Sequence, residues 1–235
     1  MSFIKSFNDI TNIYYINLEQ RIDRKINVEK QLNNIGFKSF QRFNAIQMKD
    51  GAIGCSMSHL KILENAIKND LDHVLILEDD ILFLDPELFK QQFNKFVSLG
   101  LKWDVILFAG NNKPPHEVIH DCAIKVRHCL TTTGYLVNKH YMKILALNIR
   151  SGLKHLIEKP DMRFHFAIDK FWIVLQENGE WFFITPPTVV QSEGYSDIEK
   201  KVTNYSERML DLDKLNMFQT IQLNNSNQIN KIITK

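Results

Sequence analysis

HVLILEDDILFL, residues 73–84, runs an apolar stretch into three consecutive carboxylates, Glu78, Asp79 and Asp80, and then turns apolar again. Residues 73–77 have the continuous hydrophobicity of a strand buried on both faces, and WDVILFAG at 103–110 is a second such run. Between them DPELFKQQFNKFVSLG opens on Asp85 and Pro86, a good helix start, and closes on Gly100. Buried strands alternating with helices argue for an α/β sheet of mostly parallel strands covered on both sides. The acids then fall at the carboxyl end of an interior strand, where open α/β sheets bind ligands.

The flanking sequence continues the pattern. NIYYINL at 12–18 reads as a strand, and RIDRKINVEKQLNNIG as an amphipathic helix presenting Ile22, Ile26, Val28, Leu32 and Ile35, stopped by Gly36. FKSFQRFNAI reads as a second strand, and residues 57–69 as a helix that Ser58 would cap. Further on, NNKPPHEVIHDC reads as a loop, AIKVRHCLTTTGYLV as one or two strands, and KHYMKILALNIR as a helix. AIDKFWIVLQENG reads as a helix ending near Gly179, followed by the strand EWFFI. One domain over 1–220 with a polar tail at 221–235 is expected, since QLNNSNQINKIITK offers little apolar surface to dock.

Composition narrows the function classes. The chain has 235 residues, 44% hydrophobic and 24% charged, with a formal net charge of +2, which suits a globular protein and is too mild for a nucleic-acid surface. Cys55, Cys122 and Cys129 lack framework spacing, so reduced thiols in a cytosol-like compartment are expected, with an oxidised Cys122–Cys129 pair as the alternative. The amino terminus has no basic and apolar leader pattern, and no apolar window approaches the roughly 18 to 20 residues of a membrane span. A cytoplasmic protein is the expectation, and the sequence leaves the oligomeric state open.

In an extended stretch Glu78 and Asp80 share one side and Asp79 takes the other, with the Cα atoms of the first two about 7 Å apart. Like charges so close resist joint dehydration unless a cation neutralises them. Oxygen-only ligands favour Mg²⁺ or Mn²⁺ with positions left open for phosphate, as in an ion bridging protein and nucleotide diphosphate. Solvated acids after a strand are the plain alternative. Arg21, Arg24 and Lys25, at the start of the helix after the first strand, add anion-binding character, although a solvated helix face also accounts for Lys25.

Taken together, YYINLEQRIDR, GAIGCSMSHLKILENAI, VLILEDDI, TTGYLVNKHYMKIL, AIDKFW and PPTVVQSEGYSDIE resemble glycosyltransferase family 25, which contains lipooligosaccharide sugar transferases and procollagen galactosyltransferases; the resemblance runs from about residue 12 to about residue 205. It implies a GT-A (Rossmann-like) fold, a UDP-sugar donor, a divalent metal and inversion at the anomeric carbon. On the matching positions it implies metal contact by Asp80 and Glu78, with Asp79 reaching the ribose or donor sugar. Asn17, Arg21 and Arg24 match the motif on the nucleotide side, Thr133, Gly134 and Tyr135 a strand near the sugar pocket, and Gln191, Ser196 and Asp197 a closing loop. Ser58 and His59 match a supporting motif, with a cap and a packing histidine as the plain reading. Asp169 is the candidate base, and equally a helix N-cap.

The expected activity is metal-dependent (Mn²⁺ or Mg²⁺) transfer of a hexose from a UDP-sugar to an acceptor hydroxyl of a glycan or of collagen-like hydroxylysine. A catalytically inactive sugar- or nucleotide-binding protein of the same fold is the alternative. HEVIH at 116–120 is a literal zinc-peptidase string, but Pro114 and Pro115 precede it, and Val118 and Ile119 disfavour the helix such a site needs.

Overall fold

The computed structural model describes residues 4–196 and 200–215. The expected tail at 221–235, and Asp197, lie outside the described residues. Strands are β1 (Ile13–Asn17), β2 (Gln41–Asn44), β3 (His73–Glu78), β4 (Ile81–Phe83), β5 (Val105–Asn112), β6 (Glu117–His120), β7 (Ala123–Lys125), β8 (Cys129–Asn138), β9 (Trp181–Ile184), β10 (Val189–Gln191), β11 (Gly194–Ser196) and β12 (Lys201–Thr203). Helices are α1 (Ile22–Asn34), α2 (Gly51–Lys68), α3 (Pro86–Ser98), α4 (Lys139–Glu158), α5 (Arg163–Phe166), α6 (Ile168–Phe171), α7 (Ile173–Asn178) and α8 (Ser206–Leu210).

Eight strands form one sheet in the order β2-β1-β3-β8-β5-β9-β7-β6. Most run one way, and β8 and β7 run against them. The sheet is therefore mixed, in the expected α/β class. Side chains alternate across it. Leu75, Leu77, Ile106 and Phe108 pack with α1 and α3 on one face, while Val74, Ile76, Val105 and Leu107 pack with α2 and α4 on the other. Burial on both faces is why these strands read as unbroken apolar runs.

Local chemistry sets the helix limits. Asp85 caps α3 by accepting from the Leu88 N–H at 3.0 Å with Pro86 in the first turn, and Gly36 and Gly100 take positive φ just after α1 and α3. Two expectations are corrected. Ile22 and Ile26 are exposed, so α1 buries only Val28, Leu32 and the following Ile35. Residues 117–120 form an edge strand paired with β7 rather than a loop.

α2 also begins earlier than its apolar spacing suggests, at Gly51, with Asp50 as the cap. Ser58 is therefore mid-helix. Its hydroxyl donates to the Gly54 carbonyl at 2.8 Å and accepts from the Ile46 N–H at 2.9 Å. A Cβ on Gly54 would stand 2.3 Å from the Ile46 carbonyl oxygen, so the GCSMS box brings segment 45–49 hard against α2.

Candidate active site

A cleft of about 1140 Å³ opens at the carboxyl end of β3, with room for more than one small substrate. Glu78, Asp79, Asp80, Arg24, Gln191, Ser58, His59 and Asp169 all line it. β3 ends at Glu78 and the chain turns through Asp79 and Asp80 into β4, which pairs with β10 and so brings Gln191 alongside. The Gln191 Nε2 lies 3.4 Å from Glu78 Oε2 and 3.4 Å from Asp80 Oδ2. Those two carboxylates thus converge on one amide.

Asp79 turns to the α1 side. It accepts from Asn17 Nδ2 at 2.7 Å and from Arg24 Nη1 at 2.9 Å, and the same Arg24 nitrogen lies 3.4 Å from Asp80 Oδ2. Arg24 Nη2 donates to the Tyr195 carbonyl at 2.8 Å. Asn17 is buried and absent from the cleft wall; Arg42 Nε donates to its Oδ1 at 2.9 Å, and Asn17 Nδ2 reaches the Arg21 carbonyl at 3.0 Å. Asn17 is a strut for Asp79. Arg21 pairs with Asp23 at 3.0 Å and likewise does not line the cleft.

Glu78 is held from the opposite face. Its Oε1 accepts from Thr132 Oγ1 at 2.6 Å and lies 3.4 Å from His59 Nε2, while His59 Nδ1 meets the Tyr135 hydroxyl at 2.8 Å. His59 is fully buried and stacked on Tyr135, so it supports Glu78 from behind.

Electrostatics divide the acids. Burial pushes the Asp80 carboxyl up to about 8, reinforced by the adjacent Glu78 charge and opposed by Arg24. Burial also raises Glu78, but His59, Thr132 and Arg24 outweigh it and hold that carboxyl below its ordinary value. Asp79 is raised by burial despite Arg24 and Asn17. Asp80 Oδ1 is buried without a hydrogen-bond partner among the described residues. An oxygen-only pair with surplus negative charge and an unsatisfied buried oxygen fits a hard divalent cation.

Asp169 reaches the cleft because α6 and α7 are stapled to the start of β8. Gln176 Oε1 accepts from the Cys129 N–H at 2.6 Å, its Nε2 donates to the Cys129 carbonyl at 2.9 Å, and Trp172 Nε1 donates to that carbonyl at 3.1 Å. The helix cap is Ala167, so Asp169 sits within the first turn rather than at the cap. Its Oδ2 accepts from the Thr131 N–H at 3.2 Å, and burial raises its carboxyl, against the pull of Lys170 and that N–H. Thr131 holds φ 73, an uncommon value for a β-branched residue.

Thr133 and Gly134 do not line the cleft. Because β8 runs antiparallel to β3, with Leu77 opposite Gly134, it is the earlier residues Thr131 and Thr132 that project past the end of β3. A Cβ on Gly134 would stand 3.0 Å from both Leu77 and Ile81 side chains, which places this glycine in the core. The sheet is mostly parallel as expected, but β8 is one of its two reversed strands, so matching the motif at Thr133 and Gly134 falls too far along it. Thr131, Thr132, Lys113 and Lys170 are the lining residues that this reading passes over.

Among the described residues, no grouping of metal-capable side chains unites His116 with His120. β6 is extended, His116 Nδ1 meets Asn112 Nδ2 at 3.1 Å, and His120 pairs with Asp121. The zinc-peptidase pattern has no helix to act from.

Residues 47–157 match the sequence model of glycosyltransferase family 25 (LPS biosynthesis protein), a span holding α2, the acidic turn and β8. That match, and curated relatives carrying the same family name, support assignment of the chain to glycosyltransferase family 25. It is similar to a glycosyltransferase 25 family member of Anopheles gambiae, 22% identical over 72% of this chain and 32% of that protein. A Drosophila melanogaster member is 26% identical over 66% of this chain and 29% of its own length. The mouse inactive glycosyltransferase 25 family member 3 is 26% identical over 53% of this chain and 20% of its own. The chain therefore spans about a third or less of the curated relatives it matches. Among solved structures it is similar to a glycosyltransferase involved in glycosylation of the major capsid of PBCV-1, with TM-score 0.43, 10% identity, and coverage of 86% of this chain and 89% of that one. No helix among the described residues is long and apolar enough to cross a membrane.

Proposed function

We propose that this family member moves a hexose from a UDP-sugar to an acceptor hydroxyl with inversion at the anomeric carbon, using Mn²⁺ or Mg²⁺ held by Glu78 and Asp80. The observation that carries the reading is the buried, partnerless Asp80 Oδ1 beside a second carboxylate at the end of β3. Two like charges there are costly alone and stable around a cation. When bound, the ion stabilises negative charge on the departing diphosphate.

The chain's own residues do the rest. Thr132 and His59 fix Glu78, while Asn17 and Arg24 fix Asp79 and keep it free to accept from donor hydroxyls. Gln191 and Arg24 bridge the acids across the donor end. Asp169 takes the proton from the acceptor hydroxyl as its oxygen bonds to the anomeric carbon, and the pair of the broken sugar–oxygen bond leaves on UDP. A carboxyl raised by burial is the stronger base this task requires.

A panel of nucleotide sugars, assayed for nucleotide release with and without Mn²⁺, tests the proposal. Metal-dependent release from a UDP-hexose supports it. UDP binding without turnover under any acceptor would instead make this a catalytically inactive binding protein; the mouse relative's name calls that protein inactive.

A further inference from the structure

We infer that the acceptor carries an anionic group, phosphate or carboxylate, close to the hydroxyl that receives the sugar, and that Lys113, Lys170 and Lys214 receive that group; this rests on the transferase reading above.

The cleft wall holds eight lysine and arginine side chains against four carboxylates. A donor does not use up that surplus. A divalent cation and the two charges of a nucleotide-sugar diphosphate cancel one another, so the excess persists with both bound.

Three of those eight cations gather at one end. Arg24, on the α1 side, is already committed to Asp79, Asp80 and the Tyr195 carbonyl. At the other end, beyond the carboxyl end of β5, lie Lys113, Lys170 next to Asp169, and Lys214. Lys113 and Lys170 make no ion pair among the described residues. Lys214 is buried, with its Nζ donating to the Arg208 carbonyl at 2.6 Å and the Asp211 carbonyl at 2.5 Å, a residue at φ 60 that holds its charge on backbone oxygens rather than on a carboxylate.

The three lysines are linked through Lys113. Burial, then Lys113 and Lys170, lower the proton affinity of His128, and Lys113 acts the same way on Lys214. Asp211 and Asp213 offset Lys214 from outside the cleft wall. Like charges gathered around the candidate base are unfavourable when empty and favourable around an anion. A cationic acceptor such as the amine of hydroxylysine would be repelled there.

The test begins with calorimetric titration of UDP in Mn²⁺ into the wild type, Lys113→Gln and Lys170→Gln, where equal affinities are expected. Galactose and galactose 6-phosphate are then titrated into the Mn²⁺ and UDP-loaded proteins, which needs no turnover. The phosphorylated sugar should bind the wild type at least about tenfold more tightly, and each variant should lose about tenfold for it alone. Transfer should likewise favour galactose 6-phosphate or galacturonate over galactose and over a hydroxylysine peptide. Equal binding of the two sugars with intact UDP binding overturns this inference alone. Loss of UDP affinity in the variants also overturns it, because the lysines would then hold the donor. A wild type that does not bind UDP in Mn²⁺ removes the transferase reading and this inference with it.

Discussion

The two ends of the cleft are built on different plans. At the α1 end the polar groups are held in place, leaving only Asp80 Oδ1 open among these acids: Asn17 is gripped by Arg42, Asp79 by Asn17 and Arg24, and Asp80 Oδ2 by Arg24 and Gln191. At the β5 and α6 end, Asp169 is held by backbone N–H groups, that of Thr131 among them, and Lys113 and Lys170 have no ion-pair partner among the described residues. The first end is organised in advance, as suits a charged group of fixed shape. The second keeps free charge for whatever enters. Preorganised dipoles and charges need no rearrangement when charge develops beside them, which is where an enzyme gains most.

Removing Asp80, the proposed metal carboxylate, should break this contrast most sharply. Asp80→Ala is expected to lower kcat/KM by at least about a hundredfold and to weaken UDP binding in Mn²⁺, read by steady-state kinetics and calorimetry on a variant shown to be folded. At the opposite end Asp169→Asn should cost about a hundredfold in kcat with UDP affinity unchanged. Because burial raises the Asp169 carboxyl, transfer by the wild type should fail as pH drops through a value above the ordinary aspartate pKa of about 3.9, and that acid limb should vanish in the variant. A loss of UDP affinity in Asp169→Asn would place this residue on the donor.

Smaller effects sharpen the picture within one strand. Thr132→Val, which keeps shape and removes the hydroxyl from Glu78, should raise the Mn²⁺ concentration for half-activation about tenfold without changing thermal stability much. Two residues on, Gly134→Ala should do the reverse, lowering stability by about 1–3 kcal/mol in denaturant melts while the folded protein keeps its Mn²⁺ response. The smallest effect belongs to His120→Ala on the exposed edge strand, within about 0.5 kcal/mol of the wild type and without consequence for transfer.

Much of the fold could be read from periodicity, because strands buried on both faces leave unbroken apolar runs and helices carry caps such as Asp85 and stops such as Gly36. The acidic turn was readable for the same reason: three carboxylates have no business at the end of a buried strand unless something offsets them. Strand direction was not. Nothing in TTTGYLV tells which way β8 runs, and its reversal moves the site from Thr133 and Gly134 to Thr131 and Thr132. The start of α2 was missed because its first turn is Gly and Ala rather than an apolar stripe, so Ser58 looked like a cap when it is a clamp on Ile46. The lysine surplus was hidden as well, since Lys113, Lys170 and Lys214 come together only through the docking of separate segments.

The most direct measurement is diffraction at the manganese absorption edge from crystals soaked with Mn²⁺ and UDP. An anomalous peak bound by Glu78 and Asp80 oxygens and by diphosphate oxygen is the predicted result. Ordered UDP with no peak between those carboxylates, or a peak held by other residues, would contradict it.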